Sequence, residues 1–389
     1  MRRTFIRGLV PLAALSLVAG ACSDTGDEGG EPAPSGSGAA PTTGGTDDTG
    51  TTPGSVATGS TPTTAEEVQT GESLLDTVSA ADVVRCGVRD DLPGFSSLDD
   101  AGEHVGFDAD FCRVIAAAVL GDATKVEFVD LETDARFTAL QSGEIDVLVR
   151  NTTWTASRDG IEGATFLHPT YYDGQQMMVA ADAGFESIDD MDGAVVCVAG
   201  GTTSEGNVAT EFARRDLTVE VQSFEDVDLL QEAFIAGRCD GWSSDGSQLV
   251  GLRSSFPDGP DALVIFDDIF SKEPLTPAVR DNDTRWAQAV EWAIYATIQA
   301  EEYGITQANV GDMAAGDNAA IVQFLGGENA DGVTLDAGLG LDPAFAMNVV
   351  SQVGNYGEIF ERNLTDLGLE RGLNALWGDG GLQYAPPYR

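Results

Sequence analysis

The chain has 389 residues, 64 acidic against 20 basic, a formal net charge of −44, and only Lys125 and Lys272 as lysines. That balance excludes nucleic acid and anionic membrane surfaces as partners, because dense carboxylates repel both. It does not imply a cationic ligand, since carboxylates also keep an exported protein soluble where salt screens their repulsion, and the length allows two or three domains.

Residues 1–22 read as an export signal. Arg2, Arg3 and Arg7 make a basic start, residues 9–18 an apolar stretch, and Ala19-Gly-Ala-Cys22 a small-residue cleavage site. The apolar stretch is too short for a bilayer-spanning helix. The cysteine at the cleavage point resembles a bacterial lipobox, in which Cys22 is lipidated and becomes the mature N-terminus. The start Arg2-Arg-Thr-Phe-Ile-Arg7 also resembles a twin-arginine signal, so the export route stays open. Residues 23–70 are Gly, Ser, Thr, Pro and Asp with almost no large apolar residue, and are expected to form a disordered acidic tether.

From residue 71 the pattern becomes that of a folded α/β protein. A helix is predicted over Leu74–Ala81, a strand over 83–88, a loop over 89–95, a helix over 111–120 and a strand over 126–129. A helix over 134–142 stops at Gly143, and an apolar run over 145–149 forms the next strand. This βαβαβ alternation implies a parallel sheet. An extended segment over 175–181 crosses into a second lobe with strands at 194–198, 219–221, 239–242 and 262–266, a helix that the 200–205 stretch opens and that runs through about Arg215, and a helix over 226–236. Residues 272–279 return to the first lobe. An amphipathic helix over 285–303 follows, and helices at 344–353 and 357–364 pad that lobe. The expected domains are therefore 71–174 plus 273–389 for the first lobe and 175–272 for the second, joined by two extended crossings with a cleft between.

Cysteines other than Cys22 number four, Cys86, Cys112, Cys197 and Cys239. An even number in an exported chain favours disulfides, and the pairs lack the Cys-x-x-Cys spacing of a zinc site. Four allow three connectivities, which the sequence does not decide. The local arrangement suggests Cys86–Cys112 and Cys197–Cys239. No metal or cofactor motif stands out.

Ligand chemistry gathers where strands end. Arg150-Asn-Thr-Thr-Trp-Thr-Ala-Ser-Arg158 follows the 145–149 strand, a usual ligand location in open α/β sheets. It offers an amide in Asn151, hydroxyls including Thr153, and the guanidinium of Arg158, but no nucleophile–base pair. Such groups grip a small zwitterion, the arginine pairing with its carboxylate. Gly200-Gly-Thr-Thr-Ser-Glu205 sets Thr202 and Thr203 at a helix start, where backbone N–H groups favour an anion or the threonines simply cap the helix. Asp245, after a strand of the second lobe, is the candidate for an ammonium, and Leu92 and Phe95 are candidate apolar walls. His104 is expected to be a loop residue and His168 a structural neighbour of the crossing, because neither has a matched Ser or Cys partner.

The ordered set Cys86-Gly-Val88, Leu92-Pro-Gly-Phe-Ser96, Gly106-Phe-Asp-Ala-Asp-Phe-Cys112, Arg136-Phe-Thr-Ala-Leu-Gln-Ser-Gly-Glu-Ile-Asp146, Arg150-Asn-Thr-Thr-Trp154, Tyr171-Tyr-Asp-Gly-Gln175, Gly201-Thr-Thr203, Ser271-Lys-Glu-Pro-Leu275, Asn355-Tyr-Gly-Glu358 and the 371–387 tail resembles the general L-amino-acid-binding proteins of ABC importers, within the polar-amino-acid solute-binding family. The resemblance spans about 72–389. It implies a bilobal type II periplasmic-binding-protein fold with an extra helical C-terminal segment. It further implies a monomer that closes on one L-amino acid and docks on an ABC permease driven by an ATPase. By position Arg158 would bind the carboxylate beside Asn151 and Thr153, Thr203 would add a contact, and Asp245 would hold the ammonium. Leu92 stands where relatives often carry an aromatic residue. The lipobox, tether and acidity depart from soluble periplasmic relatives and suggest an exported receptor tethered to the outer face of the cell membrane, with the periplasm as the alternative. The alternatives are an enzyme on the same fold, such as a dehydratase of an aromatic amino-acid precursor, and a sensory ectodomain. The first would need an acid–base group that no motif supplies, and no signalling domain supports the second.

Overall fold

The computed structural model describes residues 73–389, so Cys22, the export signal and the 23–70 tether lie outside the described residues. The described part opens on helix Leu74–Ala81, capped by Ser73. The Ser73 hydroxyl donates to Asp283 at 2.9 Å, and Asp283 also accepts from Trp286 N at 3.0 Å. One aspartate thus anchors the starts of two helices far apart in sequence, the second being Thr284–Glu302.

The first sheet runs Val126–Asp130, Val84–Val88, Val147–Leu148, Ala278–Arg280, Ala164–Phe166. Its first three strands are parallel, as the alternation predicts. The returning strand Ala278–Arg280 inserts antiparallel to both neighbours. The second sheet repeats the plan: Val219–Phe224, Ala194–Ala199 and Gly241–Asp245 are parallel, while Gln175–Ala180 and then Leu263–Ile265 complete it in antiparallel pairings. The expected parallel sheets are therefore mixed, because each lobe borrows strands from the crossings. Those crossings, Tyr171–Asp173 and Glu273–Leu275, pair antiparallel as a two-stranded ribbon.

Helix Phe107–Leu120 begins four residues earlier than its apolar pattern suggests, and packs with Thr284–Glu302 and Phe345–Gln352 over the first sheet. Trp286 is fully buried there, its indole N–H donating to the Asp146 carbonyl at 2.8 Å. The tail also grips the root of the crossing. Tyr356 Oη donates to the Thr170 carbonyl at 2.7 Å, and the Asn374 amide bonds the backbone of Tyr172 in both directions. Gln383 reaches Pro169 O, Thr170 O and His168, so His168 is a neighbour of the crossing. His104 is not a loop residue. It opens a short strand of the three-stranded sheet Asp91–Leu92, Ser96–Leu98, His104–Val105, stacked on Phe128 with Asp130 3.3 Å from its ring nitrogen.

Cys86–Cys112, with Cα atoms 6.0 Å apart, joins strand Val84–Val88 to helix Phe107–Leu120, and Cys197–Cys239, 5.7 Å apart, joins strand Ala194–Ala199 to the loop before strand Gly241–Asp245. The bridges restrain the unfolded chain over 26 and 42 residues. Replacing Cys86 and Cys112 together with alanine is expected to cost about 3 kcal/mol. Chemical denaturation of the wild type and the double variant, with and without reductant, checks this; equal midpoints would refute it.

Candidate functional site

Loops from the carboxyl ends of both sheets meet over a small cavity between the lobes. On the first lobe, strand Val147–Leu148 gives way to Arg150 and then Asn151, whose φ of 28° turns the chain sharply. Asparagine tolerates such a conformation better than most residues. The turn is fixed by Asn151 N donating to Asp108 at 2.8 Å. The next residues run along the crossing, with Trp154 N on Pro274 O and Thr276 N on Thr152 O, both at 2.9 Å. Thr155 then caps the short helix Ala156–Ile161, accepting from Arg158 N. The turn of helix aims Arg158 back at the cleft, where Nη1 donates to Thr153 O at 2.9 Å.

On the second lobe, strand Ala194–Ala199 runs into Gly201, at φ 68°, and helix Ser204–Arg214. Neither threonine caps this helix by its side chain. Thr202 Oγ1 donates to Ala199 O at 2.6 Å and Thr203 Oγ1 to Glu273 at 2.9 Å. Glu273, buried in the crossing ribbon, also accepts from Asn207 and Ser271. Asp245 ends strand Gly241–Asp245 and precedes helix Gly246–Ser254, to which its buried carboxylate gives no capping bond.

The two lobes touch across the gap. Arg136 and Arg158 each donate to the Gly201 carbonyl, at 3.2 and 3.3 Å, and Asn151 Nδ2 donates to Gln248 at 3.3 Å. The structure is thus closed. Asn151, Thr153, Arg158, Thr202, Thr203 and Asp245 all line the cavity. Leu92 and Phe95 do not, correcting their expected role as walls. Both are fully buried, and Phe95 packs edge-on to Phe107 and Tyr171, with ring centres 5.9 and 5.3 Å away. Leu92 instead lies under helix Gly246–Ser254, where a Cβ on Gly251 would stand 2.7 Å from the Pro93 carbonyl oxygen and 3.0 Å from Leu92.

Three lining arginines were not singled out from the sequence: Arg89, Arg136 and Arg150. Arg89 directly follows strand Val84–Val88 and Arg150 lies two residues past Val147–Leu148, so the strand-end rule that drew attention to the 150–158 loop covers both. Arg89 is bound by Asp91 through two bonds, 2.5 and 2.8 Å. Arg150 donates to Leu131 O at 2.7 Å and Thr133 Oγ1 at 3.2 Å.

Burial and mutual repulsion tune these groups. Asp245 is held well above the ordinary carboxylate range by burial and by Asp173 and Glu273 nearby, against the pull of Arg158 and Arg136. Burial, then Arg158 and Arg150, hold Arg136 well below its usual value, and burial with Arg89 brings Arg150 down to about 9. Arg158 is pushed down by burial and supported by Asp245. Guanidinium keeps its proton at ordinary pH, so the downward shifts express the cost of burying cations close to one another.

Over residues 84–309 the chain matches the bacterial extracellular solute-binding proteins, family 3. It is 48% identical over 318 residues to the general L-amino acid-binding periplasmic protein AapJ of Rhizobium johnstonii, covering 81% of this chain and 92% of that protein. It is 46% identical over 321 residues to the glutamate/glutamine/aspartate/asparagine-binding protein BztA of Rhodobacter capsulatus, covering 82% and 94%. An ABC transporter/periplasmic binding protein from Brucella ovis, solved with glutathione bound, superposes with a TM-score of 0.79 at 45% identity, covering 82% of this chain and 100% of that one. The fold is thus the bilobal type II periplasmic-binding-protein fold that the ordered motifs implied. With two lobes closing over a charged cavity and a family match across more than half its length, the chain belongs to the bacterial extracellular solute-binding proteins, family 3.

Proposed function

We propose that the protein captures L-amino acids between its lobes and delivers them to an ABC permease and its ATPase. The observation that carries this reading is the meeting of Arg158 and Asp245, from opposite lobes, in one closed cavity. Arg158 clamps the α-carboxylate, assisted by Asn151, Thr153 and the helix start at Thr202 and Thr203, and Asp245 takes the α-ammonium. The relatives' names, which specify amino-acid binding, support the assignment. The receptor is a monomer, tethered to the outer face of the membrane by lipid on Cys22 through the 23–70 segment. It carries out no chemistry on its ligand.

Calorimetry with the common L-amino acids tests the reading; heats of binding from none of them would remove it. Prephenate and arogenate are expected to be recovered unchanged after incubation with the protein, whereas turnover would make it a dehydratase. Closure is required for tight binding. Gly251→Val, remote from the cavity, should hold Pro93 and Leu92 off the second lobe and weaken binding by about tenfold, or roughly 1.4 kcal/mol. Small-angle scattering should then show a ligand-saturated variant wider than the wild type; identical profiles and affinities would refute the role of this contact.

A further inference from the structure

The crossing ribbon carries two carboxylates side by side. Asp173 and Glu273 stand directly opposite in its antiparallel register, a placement that like charges disfavour. Each binds the start of a second-lobe helix whose own N-cap side chain makes no capping bond. Asp173 accepts from Ser247 N, at 3.1 Å, in helix Gly246–Ser254. Glu273 accepts from Thr203 Oγ1 at 2.9 Å and from Asn207 Nδ2 at 2.8 Å, at the start of helix Ser204–Arg214. The N-cap residues of these two helices, Thr203 and Asp245, both line the cavity. The ribbon that joins the lobes therefore also holds two edges of the site.

Glu273 is the more committed of the two carboxylates. It is 1% exposed, and Ser271 Oγ adds a third donor at 2.5 Å. Among the described residues no cation comes within ion-pair distance of it. A buried carboxylate without a counter-ion is costly, and here only its donors and the helix N-terminus offset the cost. A neutral residue would fill the space with a smaller penalty. The charge does fix its donors. The Thr203 hydroxyl has one proton and gives it to Glu273, so a ligand meets only an acceptor there. Neither Glu273 nor Asn207 lines the cavity, so any effect they have on a ligand passes through what they hold.

We infer that Glu273 is a positioning residue for ligand capture. It ties the helix start at Thr203 to the crossing and keeps the threonine hydroxyl turned so that its oxygen, not its proton, meets the ligand. This rests on the proposed capture of amino acids and adds to it a residue outside the cavity. Glutamine at position 273 keeps the size but has one acceptor oxygen where glutamate has two. Its NH2 group faces either Thr203, reversing the hydroxyl, or Asn207, where two donors meet. The helix start then loosens, and the closed complex that depends on it comes apart sooner. The first encounter with a ligand does not depend on it, so the effect falls on dissociation.

Stopped-flow fluorescence of the full protein, with the common L-amino acids as probes, separates the two rates. Glu273→Gln should raise the dissociation rate about tenfold and change the association rate less than about twofold. Asn207→Ala, outside the cavity, should raise dissociation about threefold. In a Thr203→Val background Glu273→Gln should add less than about threefold, because the link it cuts is already gone. A role in stability alone would lower the denaturation midpoint and leave dissociation from the folded protein as in the wild type. That result, or the full effect of Glu273→Gln retained beside Thr203→Val, would overturn the inference and leave amino-acid capture standing. Wild-type binding of none of the amino acids would instead overturn the capture itself. Should Glu273→Gln fail to fold, Asn207→Ala decides alone, and a wild-type dissociation rate in it would overturn the inference.

Discussion

Arg158→Ala should lower amino-acid affinity by about 4 kcal/mol, roughly a thousandfold in Kd, without unfolding the protein. The size follows from what the side chain would leave behind. A ligand carboxylate drawn into a closed cavity loses its water, and a truncated partner leaves it buried and unpaired. The guanidinium is held in place before any ligand arrives. Thr153 O fixes Nη1 at 2.9 Å, and the ring of Phe137 lies 5.8 Å beneath it. Little ordering is then required on binding. Arg158→Lys should recover only part of the loss, because an ammonium offers no two-point fork. Arg158 is not a keystone of the fold, since its bonds go to two carbonyls and it closes no ion pair among the described residues. Thermal melts of wild type and variant without ligand should therefore nearly coincide. Calorimetric titration gives the decisive number, and an affinity within about threefold of the wild type would show that another arginine clamps the head.

Much of this architecture was readable because local chemistry and the final fold agree. Helix Leu74–Ala81, the strands at Val84, Val126, Ala194 and Val219, and the helix from Thr284 all announce themselves by period and caps. What escaped was written in distant contacts or in elements too short to have a period. The strands Asp91–Leu92 and His104–Val105 hold two residues each, and no alternation can be read from two positions. Helix Gly246–Ser254 opens on the glycine of Asp245-Gly246, a pair that reads as a turn. Phe95 in a loop is equally suited to a ligand wall and to a core, and only the arrival of Phe107 and Tyr171 beside it decides. Arg136 looks like an ordinary residue at a helix start; its meaning comes from Gly201, 65 residues away on the other lobe. The residues proposed to hold the zwitterion were legible because they lie in loops that follow strands.

Asp245→Asn should cost about 4 kcal/mol of affinity and should also flatten the pH dependence of binding. The sign follows from the direction of the shift. Asp245 lies well above the ordinary carboxylate range, so in the ligand-free closed protein it holds a proton at pH values where an exposed aspartate has lost it. An incoming ammonium is best met by the ionised form, so binding must expel that proton. Affinity should therefore fall as pH drops below the raised value, and complex formation should release protons. The charged groups facing Asp245 are Asp173 and Glu273, which raise it, and Arg158 and Arg136, which lower it. Asp173 is itself pushed up to about 6 by burial, so Asp173→Asn removes one repulsive neighbour and should extend tight binding to lower pH. Titrations in two buffers of different ionisation heat count the protons released, and Kd measured between pH 5 and 8 gives the slope. Wild-type binding that releases no protons, or an Asp245→Asn variant that keeps both the wild-type affinity and its slope, would remove Asp245 from the ammonium site.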